Sequence, residues 1–153
     1  MVRFKSSTEF SKKISKLFLY QKRKVLKLLP HAKVKHVGST VLPNALTKGD
    51  LDVLVIVSDG NFKKAISKLK RVYKINQPNN WGNNYASFKD DKLKFGLQLT
   101  SKNKTGFTKH VNLFKNNPKL LKQYNDLKRR YEGKSMKEYR KAKEKFFDKL
   151  TYR

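Results

Sequence analysis

The most restrictive feature of this sequence is its longest apolar run, residues 51–57, because two aspartates, Asp50 and Asp52, stand at its start. A nearly continuous apolar run of this length predicts a central β-strand that is covered on both faces. Side chains alternate along a strand, so the two aspartates should share one face, opposite Leu51 and Val53. Burying an unpaired carboxylate is costly. We therefore expect either that both aspartates reach the surface at the strand's mouth or that a positive charge sits on them.

The remaining patterns predict an α+β fold around this strand. Apolar residues at helical spacing predict a helix over residues 6–29, with Ser7 or Thr8 as its cap and Pro30 as its stop. Further predicted elements are strands at 31–38 and 72–76 and a helix at 61–71. A hairpin is predicted at 85–101, with Asp90 and Asp91 in its turn. In its second strand, every other residue is apolar: Leu93, Phe95, Leu97 and Leu99.

Beyond about residue 105 the pattern predicts three short helices and no strands. We expect a single domain over residues 1–153. In it, residues 1–104 form a small mixed sheet with an N-terminal helix, and residues 105–153 form a helical C-terminal third packed on it.

The net charge of the chain limits the classes of partner that it is expected to bind. It has 38 Lys and Arg against 11 Asp and Glu, a formal net charge of +27. Such a field attracts polyanions, namely nucleic acid, nucleoside triphosphates or an acidic membrane surface. Only seven of the basic residues are Arg, however, and bidentate phosphate recognition favours Arg. The composition of a lysine-rich proteome would produce the same charge, so both interpretations stay open.

Two absences in the sequence limit the classes of protein that it fits. The chain contains no Cys, which excludes disulfides, thiolate metal sites and a cysteine nucleophile. The first ten residues lack an apolar run of signal-peptide length, and no segment approaches transmembrane length. We expect a soluble, cytoplasmic protein that does not enter a membrane.

A phosphate and metal site is predicted around the two aspartates. Two carboxylates on one face at the start of a buried strand can hold divalent cations, as in phosphoryl-transfer enzymes. Before them, Gly38 lets the backbone approach a phosphate, and Ser39 adds a hydroxyl and an amide donor. We therefore expect phosphates at Gly38 and Ser39, and Mg²⁺, with Mn²⁺ as a possible substitute, at Asp50 and Asp52.

The spacing of Gly-Ser and Asp-Leu-Asp-Val resembles the signature of the DNA polymerase β-like nucleotidyltransferase superfamily. A closer resemblance is to the GrpB (UPF0157) family, and it extends over three blocks in the right order. The first block is a His-hydrophobic-Gly-Ser-Thr element that leads through a Pro-containing loop to a lysine and an aspartate-bearing strand. The matching residues are His36, Gly38, Ser39, Thr40, Pro43, Lys48, Asp50 and Asp52, then Phe114, Pro118, Tyr124, Leu127 and Lys128, then Tyr139, Ala142, Lys143 and Phe146.

The resemblance implies a nucleotidyltransferase-like fold, with added C-terminal helices, and a Mg²⁺-dependent transfer of a nucleoside monophosphate from a nucleoside triphosphate to an acceptor hydroxyl. It implies that Asp50 and Asp52 are the catalytic metal ligands. The residues that it implies for nucleotide or phosphate binding are Gly38, Ser39, Thr40, Lys48, His36 and Lys143. For His36, a packing role is the competing interpretation. Lys143 stands among many lysines, and only the family pattern distinguishes it.

One departure from the superfamily favours an alternative. Active members usually supply a third carboxylate from a neighbouring strand, and here the inward polar residue of that strand, at 92–101, is predicted to be Gln98. Asp90 and Asp91 are expected to be turn residues. The alternative is a catalytically silent basic domain that binds nucleotide or RNA through the same cleft and its lysine-rich surface. Trp81 and Tyr85 could stack on a base, or Trp81 could cover the edge of the core.

Overall fold

A five-stranded mixed sheet forms the centre of the fold. The computed structural model describes residues 1–101 and 106–151, and its side chains from 1 to 101 and from 111 to 150. Numbered along the chain, the strands of this sheet are β2 (Lys33–Val37), β4 (Leu51–Ile56), β5 (Lys74–Ile75), β6 (Tyr85–Asp90) and β7 (Phe95–Thr100), in the spatial order β2-β4-β7-β6-β5. The strands β4 and β7 run parallel, and the other neighbours run antiparallel. This mixed sheet and its flanking helices confirm the predicted α+β class.

Five helices accompany the sheet in the described residues. They are α1 (Ser7–Leu28), α2 (Phe62–Leu69), α3 (Gly106–Asn116), α4 (Pro118–Tyr131) and α5 (Met136–Thr151). The predicted N-terminal helix, the helix after the central strand and the three C-terminal helices are all present. The predicted division at residues 104 and 105 lies outside the described residues. No helix in the described part of the chain is both long and apolar enough to cross a membrane.

The start of α1 differs from the prediction, because neither predicted residue caps it. Ser6 occupies the cap position, but its hydroxyl bonds the hydroxyl of Thr8 and accepts no backbone amide of the helix. The Ser7 hydroxyl instead donates to the carbonyl of Leu42, and the Ser7 amide donates to the carbonyl of Ala45. Two short strands, β1 (Lys5–Ser6) and β3 (Leu46–Thr47), pair antiparallel at the same place. Contacts with the segment before β4 therefore hold this helix end in place of a local cap.

The main apolar core lies between one face of the sheet and the helices α1 and α2. Its buried members on the sheet are Leu51, Val53, Val55, Ala86, Phe88, Phe95, Leu97 and Leu99. A second apolar cluster joins the C-terminal helices to the segment before β3, through the buried residues Leu42, Ala45, Val111, Phe114, Leu120 and Tyr124. The sheet's other face carries the polar side chains of β4, β6 and β7 together with the buried apolar side chains of Val37 and Leu54.

Leu93 does not continue the inward alternation that was predicted for it. Its side chain is 41% exposed, and β7 begins only at Phe95. Between them Lys94 has a φ of 50°, in the left-handed region, and this reverses the chain direction before the strand starts. The alternation therefore begins one residue after the turn, with Phe95, Leu97 and Leu99 buried as expected.

Candidate functional site

Asp52 lies on the central strand between two glycines. In the sheet it stands opposite Val37 of β2 and Gly96 of β7. A Cβ placed on Gly38 would lie 2.5 Å from Oδ2 of Asp52, and one placed on Gly96 would lie 3.1 Å from Oδ1. Gly38 also has a φ of 83°, which other residues rarely adopt. The two glycines let the backbone approach both oxygens of the carboxylate closely, and the side chain of Val37 lies beside it on the same face.

Asp50 precedes the strand and reaches the surface. Its side chain is 41% exposed, and its Oδ2 lies 3.6 Å from the Nζ of Lys48. Asp52 is more enclosed, and burial, followed by the charge of Asp50, raises its pKa to about 6. The lysines Lys143 and Lys48 act in the opposite direction on that pKa. The first alternative, that both aspartates reach the surface, is therefore wrong for Asp52, whereas the second applies, because Lys48 lies beside Asp50 and the charges of Lys143 and Lys48 act on Asp52.

Three lysines from different parts of the chain form a lysine cluster, Lys48, Lys128 and Lys143, and two of them, Lys48 and Lys143, act on the carboxylate pair. Lys128 is 2% exposed, and its pKa is lowered to about 6 by burial and by the charges of Lys143 and Lys48. The pKa of Lys143 is also lowered, by burial first and then by Lys48, while Asp52 acts in the opposite sense. The mutual effects indicate excess positive charge, and a bound anion would relieve this repulsion.

Lys128 and Asn125 of α4 fix the backbone that leads to the carboxylate pair. The Nζ of Lys128 donates to the carbonyl of Leu46 and stands 4.1 Å from the centre of the Tyr124 ring. Asn125 donates to the carbonyl of Asn44, and its Oδ1 accepts the amide of Leu46 at 2.9 Å. Helix α4 therefore positions β3, the short strand that immediately precedes the site.

The turn that contains Gly38 and Ser39 is joined to the same segment. The Ser39 hydroxyl donates to Oγ1 of Thr47 at 2.8 Å, and the amide of Gly49 donates to that same oxygen at 3.1 Å. Thr47 is 2% exposed, so this connection is shielded from water. The structure thus brings together Gly38, Ser39, Lys48, Asp50, Asp52 and Lys143, which were predicted from separate motifs.

His36 and Thr40 are placed differently from the other predicted ligands. Val37 stands opposite Asp52, so the neighbouring His36 points to the other face of the sheet. There its ring stacks on Phe18 with centroids 5.4 Å apart, and its Nε2 lies 2.8 Å from the Thr40 hydroxyl. Burial, followed by the charge of Lys115, lowers the pKa of His36. A phosphate-binding role for His36 and Thr40 stays a prediction, and the packing role accounts for these contacts.

The residue that faces Asp52 across the parallel strands is Gly96, and Gln98 is one pair further along, opposite Leu54. Gln98 lies on the predicted face, and its buried Oε1 has no hydrogen-bond partner among the described residues. Asp90 accepts the amides of Lys92 and Leu93, and this agrees with its predicted place in the turn. The part of the chain that the structure describes holds no group of three or more His, Cys, Asp or Glu side chains arranged for a metal.

Trp81 and Tyr85, the predicted base-stacking residues, lie at the edge of the sheet. The Trp81 ring packs on Phe88 with centroids 5.3 Å apart, and its Nε1 donates to the carbonyl of Asn76. These contacts fit the interpretation that Trp81 covers the core. Tyr85 lies on the Asp52 face of the sheet, and its pKa is raised mainly by burial and, in smaller part, by Asp52. Of the two, Tyr85 is the residue within electrostatic reach of the carboxylates.

The sequence-based analysis missed three residues that shape the site: Thr47, Gly96 and Lys128. A signal existed for Gly96, because a glycine inside an alternating strand often marks a close approach of another group. Lys128 was noted only as part of a family pattern, and nothing in a lysine-rich helix indicated that it is buried. Thr47 has no local signal, since its role depends on Ser39 and Gly49 meeting in space.

Comparison with known proteins agrees with this architecture. The family model described as "GrpB protein" matches residues 8–153. A UPF0157 protein of Vibrio cholerae serotype O1 is 27% identical over 165 residues, which cover 97% of this chain and 81% of that protein. The crystal structure of conserved protein GrpB from Enterococcus faecalis has the same fold, with a TM-score of 0.64 at 19% identity, covering 90% of this chain and 94% of that one. This chain belongs to the GrpB family.

Proposed function

We propose that this protein is a Mg²⁺-dependent nucleotidyltransferase that moves a nucleoside monophosphate from a nucleoside triphosphate to an acceptor hydroxyl. One observation carries the proposal. The carboxylate pair, Asp50 and Asp52, stands beside the turn at Gly38 and Ser39 and within the electrostatic reach of the lysine cluster. A site with two carboxylates and three lysines suits a ligand that is itself a complex of a cation and a polyanion.

The carboxylate pair fits a magnesium ion as a partial ligand set. Mg²⁺ takes oxygen ligands and is usually held by one or two carboxylates together with waters and substrate phosphates. Asp52 can supply such an oxygen, because Gly38 and Gly96 carry no side chains and so leave room for its carboxylate between the strands. The charge of Asp50 raises the pKa of Asp52, and a cation between them would relieve that repulsion. Mn²⁺ prefers the same oxygen ligands.

The lysine cluster fits the phosphates. Lys48 already lies 3.6 Å from Asp50, and Lys143 and Lys128 are held in largely apolar surroundings where their charges repel one another. A triphosphate would offer the ammonium groups of Lys48 and Lys143 the negative charge that two carboxylates supply only in part. The buried Lys128, with its pKa lowered to about 6, holds the carbonyl of Leu46 instead. Gly38 allows the backbone to come close to a phosphate, and the Ser39 turn adds an amide donor.

In the proposed reaction, the acceptor hydroxyl oxygen forms a bond to the α-phosphorus, and the bond from that phosphorus to the bridging oxygen breaks. Pyrophosphate leaves with the bonding electrons, and the hydroxyl proton is released to solvent. When bound, the metal would supply charge neutralisation at the reacting phosphoryl group. Asp50 and Asp52 hold and orient the ion, while Lys48 and Lys143 neutralise the pyrophosphate as its charge grows.

A second candidate function is nucleotide binding without transfer. The observation that favours it is the face of β7 next to Asp52, where the described residues are Gly96 and Gln98 and neither is a carboxylate. Gln98 cannot ionise, so it can neither bind a metal strongly nor take a proton. The two candidates share the binding step and differ only in turnover.

Thermal unfolding with each of the four nucleoside triphosphates, with and without Mg²⁺, tests the shared step. A nucleotide at about a hundred times its Kd adds about 2.7 kcal/mol of stability, which raises the Tm of a protein of this size by about 5–10 °C. The double variant Asp50→Asn with Asp52→Asn should fold and lose the Mg²⁺-dependent increase. The matched control is Asp90→Asn with Asp91→Asn, which removes the same charge in the hairpin turn. A double variant that still binds the magnesium complex normally would refute the proposal.

Incorporation of α-labelled nucleotide then separates the two candidates. Transfer by the wild-type protein that disappears in the Asp50→Asn, Asp52→Asn variant supports the nucleotidyltransferase. Binding by the wild-type protein without transfer supports the second candidate. In that case Gln98→Asp, which adds a carboxylate to the Asp52 face, is the variant in which a gain of transfer in Mg²⁺ or Mn²⁺ should be sought.

A further inference from the structure

A groove lined by lysines lies between helix α1 and the turn of the β6–β7 hairpin. Its volume is about 410 Å³, and its lining residues are Lys13, Lys16 and Leu17 of α1 and Lys92, Leu93 and Lys94 of the turn. We call it the lysine groove. Four of its six residues are cationic, and the other two are leucines, of which Leu93 is 41% exposed.

The charge of the lysine groove is not neutralised by the protein. None of its four lysines forms a salt bridge with a residue that the structure describes. The two acids of the same turn form no ion pair with a lysine of the groove among the described residues. Asp90 accepts the backbone amides of Lys92 and Leu93, and Asp91 lies 3.2 Å from Lys89 and 3.7 Å from Lys74. The groove therefore presents four positive charges to a ligand.

Both walls of the lysine groove touch the segment that carries the carboxylate pair. On the hairpin side, the amide of Leu51 donates to the carbonyl of Lys94 at 2.9 Å. On the α1 side, Gly49 packs on the Phe10 ring so closely that a Cβ on Gly49 would lie 2.8 Å from it. Residues 49 and 51 flank Asp50, so the groove reaches the backbone beside Asp50 at the start of β4.

We propose that the lysine groove binds the phosphate backbone of a single-stranded nucleic acid whose terminal hydroxyl is the acceptor at Asp50 and Asp52. This inference rests on the proposed nucleotidyltransferase function and names the class of its acceptor. The strand would gain one nucleotide by the bond changes given above, with pyrophosphate released. Lysines without arginine suit sequence-independent phosphate contacts, and Leu17 and Leu93 offer apolar surface to the sugars and bases. A membrane surface is the poorer fit, because only Leu93 and Leu17 would enter it.

Fluorescence anisotropy with a labelled single-stranded RNA and a DNA of the same length, without nucleotide or Mg²⁺, tests the groove by itself. The groove variant changes Lys13, Lys16, Lys92 and Lys94 to Gln. The control variant changes Lys27, Lys33, Lys63 and Lys70 to Gln, which removes the same charge from exposed positions outside the groove. We expect the groove variant to lose at least about tenfold more affinity than the control. A plot of log K against log salt concentration should have a smaller slope for the groove variant than for the wild type. The difference should be about 3, because each of the four lost phosphate contacts contributes about 0.7.

Equal losses in the two variants would overturn the proposal, and so would groove-dependent binding to anionic vesicles without binding to the strand. A strand with 4-thiouridine at its terminal position should cross-link to peptides within residues 46–54 or 91–96, and cross-links confined to other peptides would also overturn it. The groove variant should keep the Mg²⁺-nucleotide Tm increase. If the wild-type protein itself shows no Tm increase with Mg²⁺ and nucleotide, the proposed function is refuted. The anisotropy result would still decide whether the groove binds a strand.

Discussion

The two faces of the sheet have opposite compositions at the same strand positions. Towards α1 and α2, the side chains of Val53, Leu97 and Leu99 are fully buried and pack into one apolar cluster. On the opposite face, the neighbouring positions hold Asp52 and Gly96, a carboxylate next to a residue without a side chain. One face is packed with apolar side chains, and the other encloses a charged group. This difference indicates that the apolar face stabilises the fold, whereas the face with Asp52 lowers its stability and forms the site.

Asp52, the enclosed carboxylate, shows most directly that the polar face lowers the stability of the fold. Burial and the neighbouring Asp50 raise the pKa of Asp52 to about 6, which means that its ionised form is less stable in the folded protein than in the unfolded chain. The apolar side also holds a buried polar side chain, Gln21, but this residue carries no charge. A charged residue that weakens the fold is better explained by binding than by folding.

The largest expected effect comes from the apolar face. Leu97→Ala should reduce the free energy of unfolding by about 3 kcal/mol, because a fully buried leucine leaves both lost apolar burial and a cavity. Urea denaturation measures this as a lower midpoint with an unchanged m-value. Leu93→Ala is the control, since that leucine is exposed in the adjacent turn and should change stability by less than about 0.5 kcal/mol. Similar losses for both variants would contradict the division between the faces.

On the polar face, Asp52→Asn should stabilise the metal-free protein, and the gain should depend on pH. The folded-state pKa is raised from 3.8 to about 6, so the wild type loses stability as the pH rises from about 4 to 6 and regains none above that. The variant should therefore equal the wild type near pH 3 and exceed it by up to about 3 kcal/mol at pH 8. Urea denaturation at a series of pH values measures the difference.

Asp91→Asn is the control for this pH series. Asp91 is exposed and makes only surface ion pairs with Lys74 and Lys89, which typically contribute about 0–1 kcal/mol. Removing that carboxylate should leave no gain that grows between pH 4 and 6. If Asp52→Asn instead destabilised the protein at pH 8, the aspartate would belong to the structure of the fold and the site would lose its main support.

Elements with strong local signals could be predicted from the sequence. The central strand, the hairpin and the helix α1 follow from periodicity, and the Gly38 turn and the carboxylate pair follow from a motif. What could not be predicted depends on distant contacts. The cap of α1 is replaced by bonds to Leu42 and Ala45, and the parallel pairing of β4 with β7 has no local signal.

The same limit applies within the site. Knowledge that Asp52 is on a strand fixes its face, but only the register with β7 shows that Gly96, and not Gln98, stands beside it. Likewise His36 is next to the motif in sequence, although the alternation of β2 turns it to the opposite face. Lys128 is one lysine among many on α4 until its contacts with Leu46 and Tyr124 are known.

The smallest expected effect tests whether the two faces differ because of Asp52 itself. Gly96→Ala would normally stabilise a strand by about 0.5 kcal/mol, since alanine has less conformational freedom to lose on folding. Here the new Cβ would lie 3.1 Å from Oδ1 of Asp52, so we expect no gain or a small loss in the wild-type background. In the Asp52→Ala background the contact is gone and the gain should return. The coupling energy from the double-mutant cycle should be about 1 kcal/mol.

Gly82→Ala supplies the matched control for this cycle, because a Cβ at that position meets nothing within 4 Å. Its effect should be the same in the wild-type and Asp52→Ala backgrounds, to within the error of urea denaturation. If Gly96→Ala also behaved additively, the space around the carboxylate would be larger than the close approach of β7 suggests. The absence of a side chain at position 96 would then need a cause other than Asp52, and the contrast between the two faces would rest on the charge of Asp52 alone.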